Sequence, residues 1–235
     1  MSEVVLSDGL DYLRSLPDGS VDLLVLDPDY QDWHKLIEEG LIEEARRVIR
    51  DSGNILCFTK QPFDYELRTA VDNMMRREIV WSFENGGAWV SNKMPLVSFQ
   101  KIYWCVKSKD FFFQPRTGMA YSKATKNFKR ASKVFGGYED EGKTFTKSAD
   151  GIWIRDHLHF NKPNTGTIPA KPKPLADIFV RCFCPEGGIV CDPFAGTGTF
   201  AKSADEQGKE FLCSEIDEDR CMKILDYFFE KGSRE

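Results

Sequence analysis

The sequence predicts an α/β fold, a doubly wound and mainly parallel sheet. Short apolar runs alternate with segments of helical periodicity over most of the chain. Two of these runs, residues 21–26 and 189–191, lead directly into an aspartate, Asp27 and Asp192. The second run is followed by a glycine-containing turn and a helical segment. Sheets of this kind bind ligands outside the carboxyl ends of their strands, near the point where strand order reverses. Both aspartates are therefore expected on one rim.

Residues 4–6 and 21–26 read as buried parallel strands, apolar on both faces and too short for helices. Asp32 is placed to cap a helix in which Trp33, Leu36, Ile37, Leu41, Ala45, Val48 and Ile49 form one apolar stripe. Ser52-Gly53 is expected to break that helix before a strand at 55–58. A second helix is expected from about 62 to 75, with Pro62 at a tolerated early position. Residues 79–83 and 99–106 are β-rich and joined by a glycine-containing loop. From 111 to 160 lysine, glycine and aromatic residues follow without periodicity. A proline-rich link at 163–174 precedes helix 175–182, strand 189–191, helix 199–207, strand 211–214 and a last helix to 229. The expected organisation is one body formed by 1–110 and 161–235, with 111–160 inserted.

A chain of 235 residues suits one such domain with a small insert. No apolar run approaches the roughly 20 residues of a membrane helix, and no signal pattern opens the chain, so a cytoplasmic location without membrane contact is expected. Seven cysteines without a CxxC pair read as reduced packing residues; Cys182, Cys184 and Cys191 have the wrong spacing for zinc. His157-x-His159 lacks a further ligand, so no metal site is expected. The net charge of −5 excludes a protein coated in basic surface. The charge is uneven, however, and lysines and arginines crowd residues 93–133 against Asp110 alone. Lys123, Lys126, Lys129, Arg130 and Lys133 are the expected phosphate-binding group.

Two loops carry the chemistry. In Asp192-Pro193-Phe194-Ala195-Gly196-Thr197-Gly198-Thr199 the glycines let the backbone approach a ligand, and the following helix offers free N–H groups. Glu215, at the end of the next strand, can accept hydrogen bonds from two ribose hydroxyls. Gly196-x-Gly198-x-x-Ala201 also fits a dinucleotide fingerprint, and an NAD-dependent oxidoreductase is one rival reading. Against it, Asp192 stands where a cationic amino acid moiety can be held, and too little chain follows Glu215 for the second half of a dinucleotide domain. The other loop is Asp27-Pro28-Asp29-Tyr30. An exocyclic base amine is a poor nucleophile because its lone pair is delocalised into the ring. The Asp27 carboxylate and the Pro28 carbonyl can accept its two N–H bonds and favour a pyramidal nitrogen. Tyr30 supplies a flat face for a base taken out of its stack.

Together these residues resemble the DNA amino-methyltransferases, and in particular their circularly permuted β group, with the catalytic loop ahead of the cofactor loop. The family's Asp-Pro-Pro-Tyr is similar to Asp27-Pro28-Asp29-Tyr30, and its Asp-Pro-Phe-x-Gly-x-Gly-Thr is matched from Asp192 to Thr199. The resemblance extends along the chain except for the insert. It implies a Rossmann-like methyltransferase fold, circularly permuted, and S-adenosylmethionine as cofactor. It places Asp8 at the cofactor's adenine, Glu215 with the adjacent Ile216 at its ribose, and Lys173, before Pro174 and Leu175, over its methionine end; Asp27 borders the same site. The implied substrate is DNA, single- or double-stranded, with N6 of adenine as target and the insert as target-recognition region. N4 of cytosine and RNA adenine are alternatives, and a homodimer and a restriction partner are left open. Asp29 departs from the family by replacing its second proline, which leaves Pro28 less confined to an extended conformation. A nucleic-acid-binding subunit inactivated by Asp29 is thus a further rival.

Overall fold

The computed structural model describes residues 2–85, 95–120, 148–164 and 169–232. Its strands are β1 (Glu3–Leu6), β2 (Val21–Leu26), β3 (Ile49–Thr59), β4 (Met75–Ser82), β5 (Phe99–Val106), β6 (His157–His159), β7 (Ile189–Asp192) and β8 (Glu210–Glu215). They form one sheet in the order β1-β8-β7-β2-β3-β5-β4-β6. Every pairing between these strands is parallel except those that β5 makes with β3 and β4. The helices are α1 (Gly9–Ser15), α2 (Trp33–Glu38), α3 (Leu41–Val48), α4 (Asp64–Ala70), α5 (Lys173–Phe183), α6 (Thr199–Glu206) and α7 (Glu218–Gly232). All six residues of β2 are buried, as expected of a strand covered on both faces. Phe58 on β3 meets Phe179 of α5 and Phe200 of α6 edge-on, at 6.1 and 5.9 Å. Burying each such ring stabilises the fold by about 1.5–3 kcal/mol, and these contacts hold the helices to the sheet.

From β2 the chain moves to β3 on one side, and from β7 it moves to β8 on the other. The strand order therefore reverses between β7 and β2, which are paired through Leu24 and Cys191. A crevice opens at such a reversal because the connections leave in opposite directions. Asp27 follows β2 and Asp192 ends β7, so the two face that crevice from adjacent strands.

Several element boundaries differ from the sequence reading. The single helix expected after Asp32 is two, α2 and α3, parted at Gly40, whose φ of 94° only glycine adopts at little cost. Asp32 makes no side-chain cap; a 3-10 turn at Tyr30–Asp32 already leads into α2. Ser52-Gly53 does not end an element but lies inside β3, where the register against β2 shifts between Val21 and Leu23. The helix expected over 62–75 stops at Ala70, and Met75 begins a strand by pairing with Cys105.

The insert expected at 111–160 is anchored to the main body at both described ends. Phe111 and Phe113 pack on Trp104, with centroids 5.3 and 5.2 Å apart. Buried Asn54 donates to the carbonyls of Phe112 and Phe183 and accepts from Trp104 Nε1. His157–His159, placed in the insert by the sequence, is instead a strand of the main sheet, paired with β4. Both histidines lie against Ser82 Oγ, His157 at 2.7 Å and His159 at 3.1 Å. All seven cysteines are buried and unbridged. No helix among the described residues is long and apolar enough to cross a membrane.

Candidate active site

The site is built from the rim outward. Asp27 continues β2 beyond its last apolar residue, and Pro28 behind it is buried. Tyr30 begins the 3-10 turn and is buried. Its hydroxyl lies 3.1 Å from Asp27 Oδ1 and 2.9 Å from Gln100 Oε1. The other carboxylate oxygen, Oδ2, accepts from the Lys171 ammonium. Burial pushes the Asp27 carboxyl above its ordinary value, and Lys171 and then Tyr30 oppose the rise. Asp29 is exposed, with its carboxylate 3.4 Å from Gln31 Nε2.

Beside this loop the Asp192 turn is shaped by Gly196 and Gly198, both at positive φ (56° and 71°), and Gly198 N donates to the Ala195 carbonyl. Asp192 itself is buried and accepts from Phe194 N. Burial first, and then the negative charge of Asp27, pushes its carboxyl up to about 8. Glu215 is also buried; it accepts from Gly196 N at 2.7 Å and from Asp217 N at 3.0 Å. Arg220 Nη1 also stands 3.5 Å from Glu215 Oε1, so of a carboxylate's about four acceptor positions one remains open to a ribose hydroxyl. Ile216 beside it is 70% exposed, an apolar side chain on the rim. Asp8 caps α1 through the N–H groups of Leu10 and Asp11 and remains exposed.

These residues fit a sulfonium nucleoside. A buried carboxyl whose anion a neighbouring cation would favour, an acceptor for a ribose hydroxyl and glycine-lined backbone stand at the ends of the two adjacent strands β7 and β8. Asp8, Asp27, Asp192 and Glu215 are all brought to this carboxyl edge, with Pro193, Phe194, Ala195 and Thr199 in the intervening loop. Lys173 is not. Its ammonium pairs with Asp177 at 2.8 Å and Glu206 at 2.6 Å, tying α5 to α6. Lys171, two residues earlier, enters the site in its place; the sequence offers two neighbouring Lys-Pro pairs and no local signal separates them. Gln100 was equally hidden, since it reaches the rim only because β5 runs antiparallel. The phosphate-binding group expected at Lys123, Lys126, Lys129, Arg130 and Lys133 lies outside the described residues.

Fold and loops together define a doubly wound α/β protein of the methyltransferase class. A family model described as DNA methylase matches residues 26–226, and the chain belongs to that family. It is 25% identical to the type II methyltransferase M.BglII of Bacillus subtilis, over 93% of this chain and 66% of that protein, so it spans about two thirds of that relative. It is 24% identical to the DNA adenine methyltransferase YhdJ of Escherichia coli, over 91% of this chain and 78% of the relative. The fold is shared with the M1.HpyAVI–SAM complex, at a TM-score of 0.65 and 16% identity, covering 96% of this chain and 98% of the other. It is shared also with the cytosine-N4-specific PvuII DNA methyltransferase, at a TM-score of 0.68 and 13% identity, over 94% and 83% of the two chains.

Proposed function

We propose that this protein transfers a methyl group from S-adenosylmethionine to the exocyclic amino group of a DNA base, N6 of adenine in the first instance. The observation that carries the reading is the juxtaposition of Asp27 and Tyr30 with the Asp192–Thr199 loop at the strand reversal. When bound, the cofactor supplies an electrophilic methyl group. The chain's own residues do the remainder: Asp27 and the Pro28 carbonyl accept the amine's N–H groups, Tyr30 bears on the base, and Asp192 and Glu215 hold the two ends of the cofactor. Asp27 need not be a strong base, because the amine becomes acidic only as the methyl arrives. Adenine is supported by the likeness to an adenine methyltransferase over 91% of the chain. The cytosine-specific neighbour supports N4 of cytosine as the second reading. Nucleoside mass spectrometry of DNA and RNA from cells expressing the protein decides between them. N6-methyladenine in DNA is the expected product; its absence, with N4-methylcytosine or methylated RNA instead, overturns the adenine assignment.

The insert is proposed to bind the DNA backbone. Affinity should then fall steeply with salt, and Lys126→Ala with Lys129→Ala should reduce the log–log slope by about 1.8, the loss of two phosphate contacts. An unchanged slope would move the DNA-binding face elsewhere.

Asp29 is compatible with activity in this loop. Its φ of −59° is that of a proline, and among the described residues its N–H has no backbone acceptor. Asp29→Pro should therefore be accommodated, hold Pro28 extended and remove a charge that raises the Asp27 carboxyl. Single-turnover methylation should quicken with cofactor affinity unchanged. Slower turnover in both Asp29→Pro and Asp29→Asn would show instead that the carboxylate is used.

A further inference from the structure

Lys171 is the least expected member of the site. Its side chain is 12% exposed, and its partner Asp27 is 20% exposed. The ammonium lies 4.8 Å from the ring centre of Phe58 and 5.9 Å from those of Tyr30 and Trp81. Lysine ordinarily carries its charge out to water. Here one carboxylate and three aromatic rings replace that water, an arrangement tolerated only while the pair stays intact. The backbone favours it as well. Pro172 follows directly and confines residue 171 to extended conformations, and α5 starts immediately after, so the side chain leaves from a rigid helix entrance.

Both oxygens of Asp27 are already engaged, so an incoming amine either enters beside one of these donors or replaces it. Moving Lys171 would strand a cation among aromatic rings, with the ammonium groups of Lys60 and Lys162 close by. Lys162 is itself held below its usual value by burial and by the charges of Lys60 and Lys171. Tyr30 can yield more readily. Its hydroxyl has a single hydrogen and a second acceptor, Gln100 Oε1, at 2.9 Å. Turning that one hydrogen frees Oδ1 without breaking an ion pair.

We propose that Lys171 is the positioning residue of this active site: it holds Asp27 by Oδ2 throughout methyl transfer, while the target amine takes Oδ1, released as the Tyr30 hydroxyl turns to Gln100. The inference rests on the reading of Asp27 as the amine's acceptor. The charged groups facing Asp27 are Lys171, Asp29 and Asp192, with the Tyr30 hydroxyl between it and Gln100, and Lys60 and Lys162 behind Lys171. Burial and the Asp29 carboxylate thus favour the neutral acid, and Lys171 is the principal opposing group. Without it Asp27 would hold a proton nearer neutrality and present a donor where the amine needs an acceptor.

The test compares wild type, Lys171→Met, Lys171→Arg and Asp27→Asn. Two quantities are read against pH: the single-turnover rate on unmethylated genomic DNA, and the ¹³C shift of the Asp27 carboxyl in the protein without DNA. Methionine suits the apolar cage in size, and circular dichroism with cofactor titration confirms that each variant folds. Lys171→Met should lower the rate at pH 7 by about tenfold. The acid limb of its profile and the Asp27 titration should both move up by about one pH unit. Lys171→Arg should retain the wild-type limb. A rate that is unchanged or faster in Lys171→Met overturns the proposal, and so does a lost rate with the Asp27 titration unmoved, which would mark a merely structural lysine. Asp27→Asn as active as wild type would instead overturn the acceptor reading beneath it. An inactive Asp27→Asn beside an unaffected Lys171→Met overturns the Lys171 proposal alone.

Discussion

Asp27→Asn should abolish methyl transfer, lowering the single-turnover rate by roughly two to three orders of magnitude, while cofactor affinity changes little. Asparagine keeps the shape of the side chain and an oxygen for the Tyr30 hydroxyl. It removes the negative charge that favours the amine as its nitrogen gains positive character. It also replaces an acceptor toward Lys171 with an amide that matches it poorly. The glycine loop and Glu215 lie on neighbouring strands and keep their own hydrogen bonds. Isothermal titration with S-adenosylmethionine beside single-turnover kinetics separates the two effects. Equal loss of binding and rate in a folded variant would mean that Asp27 serves the cofactor rather than the amine.

Asp192→Asn should do the reverse, weakening cofactor binding while stabilising the protein. Burial raises the Asp192 carboxyl from 3.8 to about 8, so the folded state disfavours its anion. Between those values the native protein holds a proton that the unfolded chain has released. Stability contributed at this site is therefore greatest below pH 4 and falls as pH rises toward 8. With each pH unit worth about 1.4 kcal/mol at most, the accumulated penalty is on the order of a few kcal/mol. Asparagine cannot ionise and avoids it, and its oxygen can still accept from Phe194 N. For a domain of this size the melting temperature at pH 8 should rise by about 5 °C, with the gain vanishing toward pH 4. A cationic amino group favours the Asp192 anion, so wild-type cofactor affinity should strengthen as pH rises from 6 to 8, and Asp192→Asn should lose that dependence. A variant that binds as wild type at every pH would remove Asp192 from the cofactor site.

The sheet was legible in the sequence because its central strands are apolar on both faces. Residues 21–26 and 189–191 cannot be solvated without exposing that surface, so the chain must bury them whatever surrounds them. The glycine loop and Asp27-Pro28-Asp29-Tyr30 were legible for a related reason: their chemistry lies in consecutive residues. Boundaries were less so. Gly40 and Gly53 are identical as letters, yet one parts two helices at positive φ and the other sits within a bulged strand. Only the neighbouring strand decides between them.

The sequence by itself determined which loops and which carboxylates stand on the rim, since each aspartate follows a strand whose direction the alternation of elements dictates. Tertiary structure alone decided how those carboxylates are electrostatically set. Lys171 and Gln100 reach Asp27 and Tyr30 from positions 144 and 70 residues away along the chain. One arrives from the entrance of α5 and the other through the antiparallel turn of β5. Periodicity and local motifs report what a residue does to its own neighbours. The state of a buried carboxylate depends on which distant charge the packed core leaves beside it.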